Sequence, residues 1–296
     1  MNESDFSEPT RRWLEQGTHI DVNGRRIFVY ERGEGPTVLL MHGFPTSCYD
    51  WRGVVSRMSD SYRCIAFDFP GYGLSDKPVA YSYSLFEQTD TVEGLVGTLD
   101  VGEAHVVSHD VGQTVHAELL AREQEGRLPF RIITSTILNG STLMDKATIT
   151  PFQRLLASNE SLPQAIAICE NVGANYVDGL KALMKRPDAV DDEDAIVMNE
   201  LLLYQDGNRR IPALSGYMRE RYIHRDRWVG ALKETKSPIQ LVWADGDPVA
   251  NVEMGRALSR DVPQALYTEL TGLGHFLLME DPETVATHIL EFIRTA

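Results

Sequence analysis

The chain has 296 residues, of which 43% are hydrophobic, and a formal net charge of −15 at pH 7. This length and apolar content suit one enzyme-sized domain, or two at most. The charge argues against nucleic acid and anionic membranes as partners, and no apolar run reaches the roughly 18 residues of a membrane span. Three widely spaced cysteines and an acidic, polar start predict free thiols and a cytoplasmic location.

The first elements are predicted to be strands. Two short strands are expected within residues 18–32, because Asn23-Gly24 between them is a tight-turn signal. The apolar run at 37–41 suits a strand buried on both faces, and it leads into the loop His42-Gly43-Phe44-Pro45. A second buried strand and a helix are predicted at 63–68 and about 84–99.

The most informative position is Asp110, which follows an apolar strand and precedes a helical pattern. With Ser108 two residues before it and Gly112 two residues after it, the segment has the pattern of a nucleophile elbow, in which serine is the usual nucleophile. A carboxylate with a reference pKa of about 3.9 is ionised at neutral pH and attacks without a base. The attack would form an alkyl ester on Asp110, which must then be hydrolysed.

The alternation of apolar strands and helices predicts an α/β fold, with a mostly parallel central sheet and helices on both faces. This alternation stops near residue 141 and resumes near residue 237. We therefore predict an α/β core formed by 1–140 and 237–296, and a helical cap insertion formed by 141–236. The cap is expected over the carboxyl ends of the strands, where such sheets bind ligands. The last elements are predicted at 239–244, about 264–270 and about 281–294.

Two residues that follow late strands complete a catalytic set with Asp110. The chain order nucleophile, acid and histidine is met by Asp110, Asp247 and His275. His275 would take a proton from the water that attacks the ester, and Asp247 would fix the tautomer of His275. Asp245 is the competing acid. We favour Asp247 because it directly precedes Pro248 at the far end of the turn.

The hydrolysis step creates an oxyanion on the Asp110 side chain, so backbone donors must be close to it. The elbow offers the N–H of Val111, and the His42-Gly43-Phe44-Pro45 loop offers the N–H of Phe44. His42 and His109 are interpreted as structural hydrogen-bonding residues. The chain therefore contains a complete set of groups for ester formation and hydrolysis.

The H-G-F-P loop, the H-D-x-G elbow, the D-P acid turn and the G-H base turn together resemble the epoxide hydrolase and haloalkane dehalogenase branch of the α/β-hydrolase fold. The resemblance covers nearly the whole chain from about residue 18. Strings such as Phe86-Glu87-Gln88 and Asp206-Gly207-Asn208 also resemble the mesoderm-specific transcript-like hydrolases, which bring no settled activity with them. The resemblance implies no cofactor and no metal.

The resemblance also separates the two activities of this branch. The dehalogenases commonly bind halide with a Trp directly after the nucleophile and an Asn or second Trp, where this chain has Val111 and Phe44. Fluoroacetate-type relatives instead place Arg after the nucleophile. Epoxide hydrolases protonate the opening oxygen with cap tyrosines. Tyr217 lies closest to the family's second cap tyrosine, and Tyr176 is a further candidate.

These observations predict an epoxide hydrolase that acts on a small lipophilic electrophile through an ester on Asp110. Two alternatives stay open: a haloalkane dehalogenase with a non-standard halide site, built for instance from Trp51 or Trp243, and a non-catalytic binding protein on the same scaffold. The sequence also leaves a homodimer open.

Overall fold

The computed structural model describes residues 1–173 and 175–296. Its centre is a sheet of eight strands in the order β1-β2-β4-β3-β5-β6-β7-β8. β2 is antiparallel to both β1 and β4, and every other neighbouring pair is parallel. The strands are β1 (Thr18–Val22), β2 (Arg25–Arg32), β3 (Thr37–Met41), β4 (Arg63–Phe67), β5 (Glu103–His109), β6 (Arg131–Leu138), β7 (Ile239–Ala244) and β8 (Leu266–Leu270).

The α-helices of the described residues are α1 (Glu8–Gln16), α2 (Arg52–Met58), α3 (Leu85–Thr98), α4 (Val111–Gln124), α5 (Pro151–Ala157), α6 (Leu162–Glu170), α7 (Asn175–Lys181), α8 (Asp192–Leu203), α9 (Ile211–Leu214), α10 (Tyr217–Ile223), α11 (Arg225–Glu234), α12 (Val252–Asp261), α13 (Leu277–Glu280) and α14 (Pro282–Thr295). Short 3-10 helices cover Glu3–Asp5, Cys48–Trp51, Pro187–Ala189 and Tyr204–Arg210. The predicted α/β fold with a mostly parallel sheet is confirmed.

The hairpin at the start of the sheet forms as predicted. Val22 pairs with Arg25, so the turn has two residues, Asn23 and Gly24. Both have positive φ angles, 54° and 76°. Asn and Gly adopt this region most readily, which explains why this pair of residues occupies the turn.

The order of the parallel strands brings the loops after β3 and β5 together. The chain steps from β3 to β4 in one direction along the sheet and from β5 to β6 in the other. Because parallel crossovers are right-handed, α2 and α4 then cover opposite faces. The reversal lies between β3 and β5, and sheets of this kind bind ligands at such a reversal, beyond the carboxyl ends of the strands.

Between β6 and β7 the described residues form helices α5 to α11 and contain no strand. We call residues 141–236 the helical insertion. The division of the chain into a core and a cap at residues 140 and 237 stays a prediction. In the described part of the chain, no helix is both long and apolar enough to cross a membrane.

Candidate active site

Asp110 lies at the sharp turn between β5 and α4, and its backbone has φ 45° and ψ −108°. A positive φ is unfavourable for a residue with a side chain, so the surrounding structure must hold it in place. Gly112 lets this turn lie against the end of β3, because a Cβ at position 112 would lie 2.6 Å from the Met41 carbonyl oxygen. At Gly43, a Cβ would lie 2.7 Å from the Cβ of Asp110. The two glycines therefore let the elbow approach the loop after β3.

His275 and Asp247 form a direct pair. His275 Nδ1 lies 2.8 Å from Asp247 Oδ2, and both side chains are buried. The other carboxylate oxygen of Asp247 accepts the backbone N–H groups of Val249 and Ala250 at 2.7 and 3.0 Å. The competing acid, Asp245, is exposed and accepts the N–H of Gly272. The geometry therefore places Asp247, and not Asp245, beside the histidine.

The pair gives His275 an unusual proton affinity. Burial opposes its charged form, but the charge of Asp247 and the hydrogen bond from Nδ1 outweigh burial, and Asp110 adds to them. Together these interactions raise the pKa of His275 to about 9. Because the charge of Asp110 contributes to this value, any change that neutralises Asp110 lowers the pKa of His275.

The carboxylate of Asp110 is buried and fixed at both oxygens. The Phe44 N–H donates to Oδ2 at 3.0 Å, and the Ser141 hydroxyl donates to Oδ1 at 3.0 Å. Among the described residues, the Val111 N–H donates no hydrogen bond to this side chain, so its predicted role stays a prediction. Burial alone would raise the pKa of Asp110, but the nearby charges of Arg221 and His275 outweigh it and lower that pKa.

Arg221 and Ser141 were missed by the sequence analysis. Arg221 is 1% exposed, and its Nη2 lies 3.5 Å from Asp110 Oδ1. In the sequence it stands in a polar helical stretch with Arg219 and Glu220, a pattern typical of a solvated helix face. Its spacing of four residues from Tyr217 places both residues on one face of α10, and this was the available signal.

A cavity of about 940 Å³ opens above Asp110. The carboxylate and His275 line it together with both tyrosines predicted as proton donors, Tyr217 and Tyr176. Most of the lining is apolar and comes from the core and the helical insertion, including Phe44, Phe152, Leu155, Leu180, Ile211 and Val249. Trp51 and Trp243, the predicted halide donors, are fully buried and do not belong to this lining.

The tyrosine hydroxyls already have partners. Tyr217 Oη accepts a hydrogen bond from the Gln153 side chain at 3.1 Å, and Tyr176 donates to the Pro45 carbonyl at 3.2 Å. Within the described residues, neither hydroxyl is hydrogen-bonded to Asp110. Burial raises the pKa of Tyr217, with Asp110 adding to the effect, so the phenol keeps its proton at neutral pH.

His42 and His109 have the structural contacts expected of them. His42 Nε2 accepts the N–H of Phe69 at 3.1 Å, and Nδ1 lies 2.8 Å from the Gly43 carbonyl oxygen. His109 Nε2 lies 2.9 Å from the carbonyl oxygen of His275, and burial lowers the pKa of His109 to about 4. A neutral His109 therefore helps to hold the loop that carries His275.

The profile of the alpha/beta hydrolase family matches residues 38–288, and the chain belongs to this family. It is 35% identical over 288 residues to the putative hydrolase LipZ of Mycobacterium tuberculosis, covering 97% of this chain and 99% of that protein. It is 31% identical over 300 residues to the mesoderm-specific transcript homolog protein of Bos taurus, covering 98% and 89%.

Further similar proteins carry names of specific enzymes. The cis-3-alkyl-4-alkyloxetan-2-one decarboxylase of Shewanella oneidensis is 28% identical over 297 residues, covering 93% of this chain and 87% of that protein. Among solved structures, a loop variant of haloalkane dehalogenase DbeA from Bradyrhizobium elkanii gives a TM-score of 0.78 at 21% identity, covering 94% and 96%. The structure of epoxide hydrolase CorEH gives a TM-score of 0.77 at 19% identity, covering 94% of this chain and 98% of that chain. The two structures support the fold.

Changing Asp247 to Asn should lower the pKa of His275 from about 9 by at least about one unit, because the substitution removes the charge that raises it most. A titration of the His275 ring followed by NMR measures this shift. Asp245→Asn is the matched control, because Asp245 lies two residues away and bonds only the turn at Gly272. Equal shifts in the two variants would contradict the pairing.

Proposed function

We propose that the protein hydrolyses lipophilic epoxides to vicinal diols through a covalent ester on Asp110. The observation that carries the proposal is the cavity itself, since one apolar space contains the Asp110 carboxylate, the His275 ring and two protonated phenols. An ionised carboxylate in such a space suits attack on a neutral, electrophilic carbon. The apolar lining suits a substrate with an extended hydrocarbon part.

In the first step, an oxygen of Asp110 would attack one carbon of the epoxide ring. A bond forms between that carbon and the carboxylate oxygen, the carbon–oxygen bond of the ring breaks, and the ring oxygen takes the bonding electrons. A phenol donates its proton to this oxygen. We assign the donor role first to Tyr217, whose ring lies 5.3 Å from the ring of Phe44, next to the nucleophile.

In the second step, neutral His275 would take a proton from a water molecule as the water attacks the ester carbon of Asp110. The bond between the ester carbon and the alkyl oxygen then breaks, and the diol leaves with the proton that His275 returns to it. Asp110 is left as a carboxylic acid, whose proton passes to the phenolate formed in the first step. The Phe44 N–H, which already donates to Asp110 Oδ2, is in position to stabilise the oxyanion, with Val111 as the second proposed donor. Ester formation also neutralises Asp110. This lowers the pKa of His275 and prepares the histidine as a base once the ester exists.

The dehalogenase alternative has less support. The two tryptophans named as examples for its halide site, Trp51 and Trp243, are both buried outside the cavity lining. The Trp243 N–H is also taken by the Ala250 carbonyl at 2.6 Å. A halide leaving from the cavity would therefore lack both of the donors that the sequence suggested.

A second candidate is the opening of a four-membered lactone, the ring named in the Shewanella oneidensis relative. The observation that favours it is that Tyr176 already donates its proton to the Pro45 carbonyl, which leaves Tyr217 as the one of the two phenols with a proton to give to an alkoxide. Attack of Asp110 on the sp³ ring carbon bonded to oxygen would release a carboxylate, which needs no proton. Loss of CO2 would then supply the electrons for a double bond and expel the Asp110 carboxylate. This route consumes no water.

Parallel incubation with a long-chain 1,2-epoxide, a 1-bromoalkane of equal length and a 3,4-dialkyloxetan-2-one tests the proposal. We expect a diol from the epoxide, because the set Asp110, His275 and Asp247 is complete. Bromide release without diol would overturn the proposal in favour of dehalogenation. Alkene and CO2 from the lactone alone would favour the second candidate. Inertness toward all three would favour a binding protein.

Changing His275 to Gln should stop the second step and leave the alkyl ester on Asp110. We expect a mass increase equal to that of the intact epoxide on the peptide that contains Asp110, measured by mass spectrometry after digestion. The double variant with Asp110→Asn is the control and should carry no adduct. Absence of any adduct with a substrate that the unmodified enzyme turns over would remove the ester from the mechanism.

Changing Tyr217 to Phe should lower the rate of epoxide opening by at least about tenfold, since general acids typically contribute 10²–10⁴. Single-turnover measurement of substrate loss isolates this step. Tyr222→Phe is the matched control on the same helix, because Tyr222 is 58% exposed and lies outside the cavity lining. If Tyr217→Phe behaves as Tyr222→Phe does, another group donates the proton.

A further inference from the structure

The helical insertion places a buried guanidinium against the proposed nucleophile. Arg221 in α10 is 1% exposed, and each of its three nitrogens has a partner. Nε donates to Thr114 Oγ1 at 2.8 Å, Nη2 donates to the carbonyl oxygen of Asp110 at 3.0 Å, and Nη1 donates to Ser141 Oγ. The three partners are in α4, in the segment after β6 and at the turn between β5 and α4. The contacts fix the guanidinium in one orientation.

Ser141 transmits this contact to the carboxylate of Asp110. Its oxygen accepts from Arg221 and its hydroxyl donates to Asp110 Oδ1. The Phe44 N–H holds the other oxygen, Oδ2. With one donor on each oxygen, rotation of the carboxylate about its bond to Cβ is restricted. A nucleophile held in one orientation reaches the reactive geometry with less loss of entropy.

The charge balance of the site requires a cation near Asp110. When His275 is neutral, Asp110 and Asp247 leave two negative charges in a buried region. The ion pair of Arg221 with Asp110, 3.5 Å apart, offsets one of them. Charges buried without a partner are strongly unfavourable, so this pairing lets the Asp110 carboxylate stay ionised for its attack even when His275 carries no proton.

Arg221 also connects the nucleophile with the proposed proton donor. Tyr217 precedes Arg221 by one helical turn in α10, and the guanidinium carbon lies 4.5 Å from the centre of the Tyr217 ring. One helix of the insertion therefore carries the phenol that faces the cavity and the cation that contacts Asp110.

We propose that Arg221 is a positioning residue for Asp110, which, with Ser141, fixes the carboxylate and supplies its buried counter-charge. The position of α10 therefore determines whether the Asp110 carboxylate is held in one orientation and stays ionised. The inference deepens the proposed function and rests on it, since it assigns Asp110 the role of nucleophile. The charged and titratable groups that face Asp110 are Arg221, His275, His109, His42, Tyr72 and Tyr217.

Two measurements test the proposal. The first is the rate of ester formation against pH, followed by mass spectrometry in the His275→Gln background. The second is the titration of the Asp110 carboxyl carbon by ¹³C NMR in the otherwise unchanged protein, with the signal assigned by loss in Asp110→Asn. The second measurement needs no substrate, so it decides the role of Arg221 even if no ester forms.

Arg221→Met should raise the pKa of Asp110 by about one unit or more and move the acid limb of ester formation upward by the same amount. Arg221→Lys keeps the charge but loses the fixed three-way contact, so it should move the pKa less than Arg221→Met and still slow ester formation at least about tenfold. Ser141→Ala should slow ester formation as well. If Arg221→Met does not fold, the other two variants decide the question.

The matched control is Arg227→Met in α11, an arginine that pairs with Glu118 and has no contact with Asp110. It should lower the melting temperature and leave both titrations unchanged. If the Arg221 and Ser141 variants lose stability but titrate and react as the control does, Arg221 has a structural role and the proposal is overturned. If the His275→Gln parent forms no ester but the Arg221 variants still shift the NMR titration of Asp110, the proposed function is refuted. The role of Arg221 as the counter-charge of Asp110 is then upheld.

Discussion

The burial of an ionised carboxylate at Asp110 is the constraint on which the rest of the site depends. Removing such a group from water costs several kcal/mol unless charges and donors replace the lost solvation. Here the replacement comes from three directions: the Phe44 amide from the loop after β3, Ser141 from the segment after β6, and Arg221 from α10. The site is therefore assembled from distant parts of the chain around one charge.

The sheet, the elbow and the acid–base pair could be predicted from the sequence because their signals are local. Apolar runs define the strands, and Gly112 defines the close approach at the elbow, where a Cβ would meet the Met41 carbonyl. Parallel strands then bring their carboxyl ends to one edge. This is why Asp110, Asp247 and His275 could be placed together although 165 residues separate the first from the last.

The contributions of the helical insertion could not be read in the same way. Arg221 has polar neighbours in sequence, and its burial arises only when α10 packs over the elbow. Ser141 lies where the predicted alternation ends, so no pattern marked it. The tyrosines show the same limit, because the sequence indicates a phenol near the cavity but not that Tyr176 donates to the Pro45 carbonyl. Orientation depends on tertiary packing, which a single sequence does not encode locally.

The contact between Arg221 and Asp110 has a consequence for the evolution of the elbow. Serine is the usual nucleophile at an elbow of this kind, so the backbone at position 110, with its positive φ, would accept it. A serine there, however, would leave the Arg221 guanidinium buried without its counter-charge, at a cost of about 3–5 kcal/mol. A change to serine chemistry would therefore require a second substitution 111 residues away. The helical insertion thereby restricts which nucleophile this chain can evolve to carry at position 110.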